Sequence, residues 1–154
     1  MRILLHDASV LIDLMTVDIL ETALTLPYKM ETTDLVKREI LRGGQKDILA
    51  RIVAARKIEV IRSTKEEISG IAELNNLNPA LSFADSSVLF HAVAKGSVVL
   101  SDDARLRRIA KERALTVHGT LWIISELRLS DNSVSYQIAL VFSRILAFLT
   151  LSTY

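Results

Sequence analysis

Apolar residues along this chain fall into two patterns. Short apolar stretches occur in RILLH (2–6), IEVIRS (58–63), SVVLS (97–101) and LTVH (115–118), broken only by Glu59 and Thr116. Runs of this kind mark strands buried on both faces. Between them, apolar positions recur every three or four residues, as on helices with one buried face. The predicted order is a strand over 2–6 and a helix from about 8 to 25, broken near Val17 and ended by Pro27. A strand at 28–31 and a helix capped by Thr32 or Thr33 and running to about Leu41 come next. Gly43-Gly44 punctuates. A helix over 45–56, the strand 58–63 and a polar-faced helix over 64–75 follow. Asn78-Pro79 opens a further helix, with Pro79 at its first position, that ends before Gly96. The strand 97–101, a helix over 103–113 and the strand 115–118 precede further helix. Strands alternating with helices predict an α/β fold: a three-layer α/β/α sandwich around a central parallel sheet of four to five strands.

Composition narrows the function classes. With 154 residues, half of them apolar, the chain supports one sizeable core. A formal net charge of +1 confines any nucleic-acid surface to a local patch. The absence of cysteine excludes a disulfide framework and a thiolate zinc site. The first apolar run is short and meets His6 and Asp7 at once, unlike a signal peptide, so a cytoplasmic location is expected. Residues 1–128 are read as one domain. Residues 129–154 are read as an apolar C-terminal helix packed on that domain or at a dimer interface, and a homodimer is expected. Ser143 and Arg144 interrupt this segment, so no membrane span is expected.

Candidate chemistry lies where the strands end. In an open parallel sheet, ligands bind outside the carboxyl ends of the strands. Asp7 stands at such an end, and Asp102 and Asp103 at another. Glu39, four residues after Leu35, and Asp85, four after Leu81, share helix faces with apolar residues. Inward-facing carboxylates are costly unless paired, protonated or bound to metal. Four such places with almost no lysine beside them point to a hard divalent cation, Mg2+ or Mn2+. Each acid also has a plain structural role open to it. Asp7 suits a helix N-cap, and Asp102 and Asp103 complement a helix dipole. Ser82 and Asp85 have capping-box spacing, although Asn78-Pro79 is the stronger start. Glu39 can pair with Arg42 or Lys46, and Glu31 and Asp34 lie nearby in the chain.

Taken in order, HDASVLIDL, TTDLVKREIL, LSFADSSVLFHAVAKG and VVLSDDARLRRIAKERALTVHGTLWII resemble the PIN domain, a family of small metal-dependent ribonucleases. The resemblance covers about residues 1–128. It implies a PIN-like fold and catalytic acids at Asp7, Glu39, Asp85 and Asp103. Asp7, Asp85 and Asp103 would hold Mg2+ or Mn2+, with Asp102 an additional or alternative ligand and Glu39 a ligand or water positioner. Ser9 and Ser101 match positions that hold acids or waters. His6 departs from the family, which more usually has an apolar residue there, and nothing after 128 matches its motifs.

The implied activity is hydrolysis of RNA phosphodiester bonds by an endoribonuclease, as the toxin of a toxin–antitoxin pair with a small antitoxin protein as partner. Arg105, Arg107, Arg108, Lys111 and Arg113 follow the acids and suit flanking phosphates. A solvated helix face with an Arg108–Glu112 pair is the plain alternative. Lys37, Arg38, Arg42 and Lys46 form a second candidate patch. His91 and His118 are read as structural, and Trp122 as core or interface. Two other readings compete. One is a non-catalytic RNA-binding or assembly module on the same fold. The other is an acidic phosphotransfer domain, of the receiver or haloacid-dehalogenase type. The second acid of that phosphatase pattern and the acid pair and late lysine of a receiver are missing.

Overall fold

The computed structural model describes residues 1–41 and 43–130. Five parallel strands form its centre: β1 (Ile3–His6), β2 (Lys29–Thr33), β3 (Glu59–Ile61), β4 (Val98–Leu100) and β5 (Val117–His118). They lie in the order β3-β2-β1-β4-β5. β1 is central, with Leu5 opposite Glu31 on one side and Val99 on the other. Leu4 and Leu5 are wholly buried, which explains a first strand without polar alternation.

Eight helices connect and follow these strands among the described residues: α1 (Ala8–Thr16), α2 (Leu20–Ala23), α3 (Asp34–Glu39), α4 (Gly43–Ala54), α5 (Lys65–Leu77), α6 (Phe83–Lys95), α7 (Ala104–Glu112) and α8 (Thr120–Ser130). α6 lies against β1, β2 and β4, with α5 and α7 packed on it. α1 packs with α2, α4 and α8. Right-handed crossovers between parallel strands put these groups on opposite faces, giving the expected sandwich. α3 starts directly from β2 and touches both α1 and α6.

The strand order places the crevice. The chain passes from β1 to β2 and β3 on one side, then returns to β4 on the other. The direction reverses between β1 and β4, and ligands of open parallel sheets bind at such a switch. The two strand ends are joined there by the Asp7 amide, which donates to the Leu100 carbonyl at 3.0 Å.

Local signals played out unevenly. The expected break near Val17 is present, with Asp18 at φ 60°, a left-handed conformation that a short polar side chain tolerates. Gly43 and Gly44 do not separate two helices but lie in the first turn of α4. Asn78-Pro79 does not open α6. Asn78 caps the end of α5, since a residue before proline is driven out of the helical region. α6 starts four residues later, at the reciprocal capping box of Ser82 and Asp85. No helix among the described residues is long and apolar enough to cross a membrane. Arg42 and the expected C-terminal helix in 131–154 lie outside the described residues.

Glu31, in the middle of β2, is fully buried. Lys29 reaches it at 2.7 Å, and Lys95, the last residue of α6, at 2.6 Å. Burial pushes the Glu31 carboxyl up, but the hydrogen bonds and charges of the two lysines outweigh that and hold it below its ordinary range. This ion triplet fastens the end of α6 to the sheet. Lys95→Met leaves Glu31 with one cation and is expected to destabilise the fold by about 2 kcal/mol, since breaking a buried pair strands a charge. Urea unfolding measures this; an unchanged midpoint would show that Lys29 alone suffices.

Candidate active site

Asp7 ends β1 and caps α1. The residue is 1% exposed. Oδ1 accepts from the Ser9 hydroxyl at 2.8 Å and the Val10 amide at 3.1 Å, and Oδ2 accepts from the Ser101 hydroxyl. These donors are neutral. Burial pushes the Asp7 carboxyl up to about 6 against these hydrogen bonds, and the charge of Asp85 pushes the same way.

Both serines reach from Asp7 to the turn between β4 and α7. The Ser9 oxygen accepts from the Asp102 amide and the Ser101 oxygen from the Asp103 amide, both at 3.0 Å. Adjacent acids then diverge. Asp103 is the N-cap of α7: Oδ1 accepts from the Arg105 and Leu106 amides, both at 2.9 Å. Asp102 turns to the start of α8, where Oδ2 accepts from the Thr120 amide at 3.0 Å and the Thr120 hydroxyl at 2.5 Å. Gly119 permits this approach, because a Cβ there would lie 2.0 Å from Asp102 Oδ1. Asp102 therefore braces α8, a role that its neighbour's position at a strand end did not reveal.

Asp85 lies in the first turn of α6, half-buried, with Oδ2 accepting from the Ser82 amide at 3.1 Å. Its carboxyl is raised by burial, against the Ser82 hydrogen bonds, and further by the charge of Asp103. Glu39 stands at the exposed end of α3. It is raised by partial desolvation and by the charge of Asp85, against the Ser82 hydroxyl. Asp7, Glu39 and Asp103 thus share one field centred on Asp85. The neighbouring acids serve elsewhere: Glu31 is held by lysines, and Asp34 pairs with Arg38 at 3.2 Å. Asp13 on α1 faces Asp102 and is pushed up by desolvation and by that charge.

The donor set suits a hard divalent cation. Its groups are all carboxylate oxygens, and none of the four acids makes an ion pair among the described residues. Asp85 Oδ1 and Asp103 Oδ2 have no protein hydrogen-bond donor among the described residues. As placed, no three acidic or histidine side chains among those residues close around an ion. The acids ring Asp85 without converging on one point.

The cations are less uniform. Arg105, Arg108 and Lys111 are exposed on α7, with Arg108 pairing with Glu112 at 2.8 Å. Arg105 reaches toward the Ala80 carbonyl at 3.4 Å. Arg107 instead donates to the Ser101 carbonyl at 2.7 Å and braces the turn. Lys37 and Arg38 are exposed on α3. His91 bonds Ser63 at 2.9 Å, and His118 stacks on Trp122 at 4.2 Å between centroids. Ser82 and Thr120 support the acids without a functional motif of their own. The capping-box spacing marks Ser82, but nothing local ties Thr120 to Asp102.

Two outcomes follow. The folded state binds the Asp7 proton more tightly than the unfolded chain. Its contribution to stability is present below the unfolded value near 3.9 and is lost as pH rises through about 6. Asp7→Asn is therefore expected to stabilise the metal-free protein by about 2 kcal/mol near pH 8 and hardly at all near pH 4, by calorimetry in EDTA. A gain confined to acid pH would sink this assignment. Gly119→Ala should displace Asp102 from Thr120 and cost about 1 kcal/mol, the worth of a helix cap, in chemical denaturation.

Comparisons with known proteins bear on the family and the fold. A family model, DUF3368, described as a PIN domain, matches residues 3–137. No curated protein matches the sequence. Among solved structures, VapBC-1 from nontypeable Haemophilus influenzae is similar with a TM-score of 0.54 at 12% identity, over 78% of this chain and 99% of that one. VapBC2 from Rickettsia felis, bound to a DNA fragment from their promoter, has a TM-score of 0.55 at 13% identity, over 77% and 98%. PAE2754 from Pyrobaculum aerophilum has 0.57 at 16% identity, over 83% and 98%. At these identities the likeness is one of fold. The family match spans most of the sequence and includes every carboxylate of the crevice, and the chain belongs to the PIN domain family.

Proposed function

We propose that this PIN domain is a metal-dependent endoribonuclease and the toxin of a toxin–antitoxin pair. The observation that supports this reading is that Asp7 and Asp103 follow the ends of β1 and β4, that Asp7, Glu39 and Asp103 are each coupled to Asp85, and that none of the four makes an ion pair among the described residues. Asp7, Asp85 and Asp103 would hold Mg2+ or Mn2+, with Glu39 as a further ligand or water positioner. A bound divalent cation lowers the pKa of a water and offsets charge on the attacked phosphate. Ser9 and Ser101 fix both oxygens of Asp7, and Ser101 also sets the start of α7 and hence Asp103. Ser82 sets Asp85. The Asp102 carboxylate acts through α8, while its amide holds Ser9 against Asp7. Arg105, Arg108 and Lys111 offer exposed charge to flanking RNA phosphates. The VapBC structures among its neighbours support a small antitoxin protein as partner.

A second reading, a non-catalytic RNA-binding module, draws on the capping roles of Asp7, Asp85 and Asp103. One experiment separates the two. Purified protein should cleave labelled single-stranded RNA with Mn2+ or Mg2+ and not with EDTA. Asp7→Asn and Asp103→Asn should each lose at least about a hundredfold in rate, and Ser101→Ala about 10- to 100-fold, the usual effect of removing a group that orients a ligand. RNA binding without cleavage, unchanged in Asp7→Asn, would establish the second reading.

A further inference from the structure

Beside the carboxylates, a cleft of about 620 Å³ opens between α3, α4 and β3. Its volume is that of a small-ligand site. Lys37, Arg38, Lys46 and Arg62 line it, with Val53 and Val60 as apolar wall. Arg62 follows the carboxyl end of β3, so the cleft opens on the same edge of the sheet as Asp7. Asp34 is the one acid among its lining residues. Its Oδ2 accepts from Arg38 at 3.2 Å, while Oδ1 is buried and has no hydrogen-bond partner among the described residues. An acceptor left so is costly, and a turn of the Asp34 side chain that brings this oxygen to the cleft would let an incoming donor relieve it. A ligand complementary to this cleft carries an anion for the cations, an apolar face for the valines and an N–H for Asp34.

A nucleotide has all three. We propose that the cleft is a nucleotide subsite for the bound RNA strand, with the phosphate on Lys46 and Arg62 and an amino group of the base on Asp34. This rests on the nuclease reading. α3 links the two places: Asp34, Lys37 and Arg38 line the cleft, and Glu39 ends the same six-residue helix among the carboxylates. At 1.5 Å per residue they are about 8 Å apart along its axis, within reach of neighbouring nucleotides on one strand. An acidic peptide fits less well, because its carboxylates would meet Asp34. Uracil also fits less well, because its only base N–H is flanked by two carbonyls.

The test measures binding of a short labelled single-stranded RNA to the full chain in EDTA by fluorescence anisotropy. Lys46→Ala/Arg62→Ala, two exposed positions, should bind about tenfold more weakly. The slope of log affinity against log salt should be shallower by about 0.7, the value for the one phosphate left without its cations. AMP, CMP and GMP should compete better than UMP by about tenfold, and Asp34→Ala should abolish that preference. Metal-dependent cleavage by the unaltered chain scores the nuclease reading separately. Cleavage with affinity and slope unchanged in the double variant overturns the subsite alone. Absent cleavage with binding weakened as stated overturns the nuclease reading and keeps the cleft as a nucleotide site. Competition by polyglutamate but by no mononucleotide assigns the cleft to an acidic protein segment and overturns the proposal.

Discussion

A carboxylate with no cation beside it among the described residues, buried between two strand ends, is the constraint on which the rest of this molecule turns. Asp7 lies where the order of the sheet reverses, between β1 and β4. Low-dielectric surroundings oppose its charge, and two hydroxyls and an amide only partly offset that. The same hydroxyls accept from the Asp102 and Asp103 amides. One hydrogen-bonded unit therefore fixes the start of α1, the start of α7 and, through Asp102, the start of α8.

The two buried acids of the sheet show what such surroundings mean. Glu31 and Asp7 are both hidden from solvent. Glu31 has two lysines and is held ionised, so its charge is consumed in fastening α6. Asp7 has only neutral donors and binds its proton more tightly than usual. Compensation within the protein is the mark of a structural acid. Its absence, with Asp85 and Glu39 also raised close by, leaves a charge demand for something outside the chain to meet.

The caps serve the same arrangement. Asp7, Asp85 and Asp103 each engage the first turn of a helix, where unpaired amides and the positive end of the dipole favour a carboxylate. Each cap fixes a side chain that would otherwise rotate. Asp85 and Asp103 still keep one oxygen apiece without a protein donor among the described residues. Capping and the crevice are thus compatible uses of one residue.

β1 and β4 were legible because strands buried on both faces need continuous apolar runs, a local property, whereas β2 (KMETT) and the part-exposed β3 and β5 carry no such run. Asp7 and Asp103 were legible as site candidates because each lies just past such a run. Signals that competed locally were not resolved by sequence. Asn78-Pro79 and Ser82–Asp85 are both valid helix punctuation, and only the packed chain made the first an ending and the second a beginning. Asp102 and Asp103 differ by one position, yet one braces Thr120 and the other joins the acids around Asp85. Glu31 and Glu39 could not be ranked until Lys95, 64 residues on, was seen to pair with the first. By itself the sequence determined the alternation of strands and helices, and that Asp7 and Asp103 follow strand ends. Tertiary structure decided the strand order, and with it which ends meet and which acids find a cation, because those energies depend on partners distant along the chain.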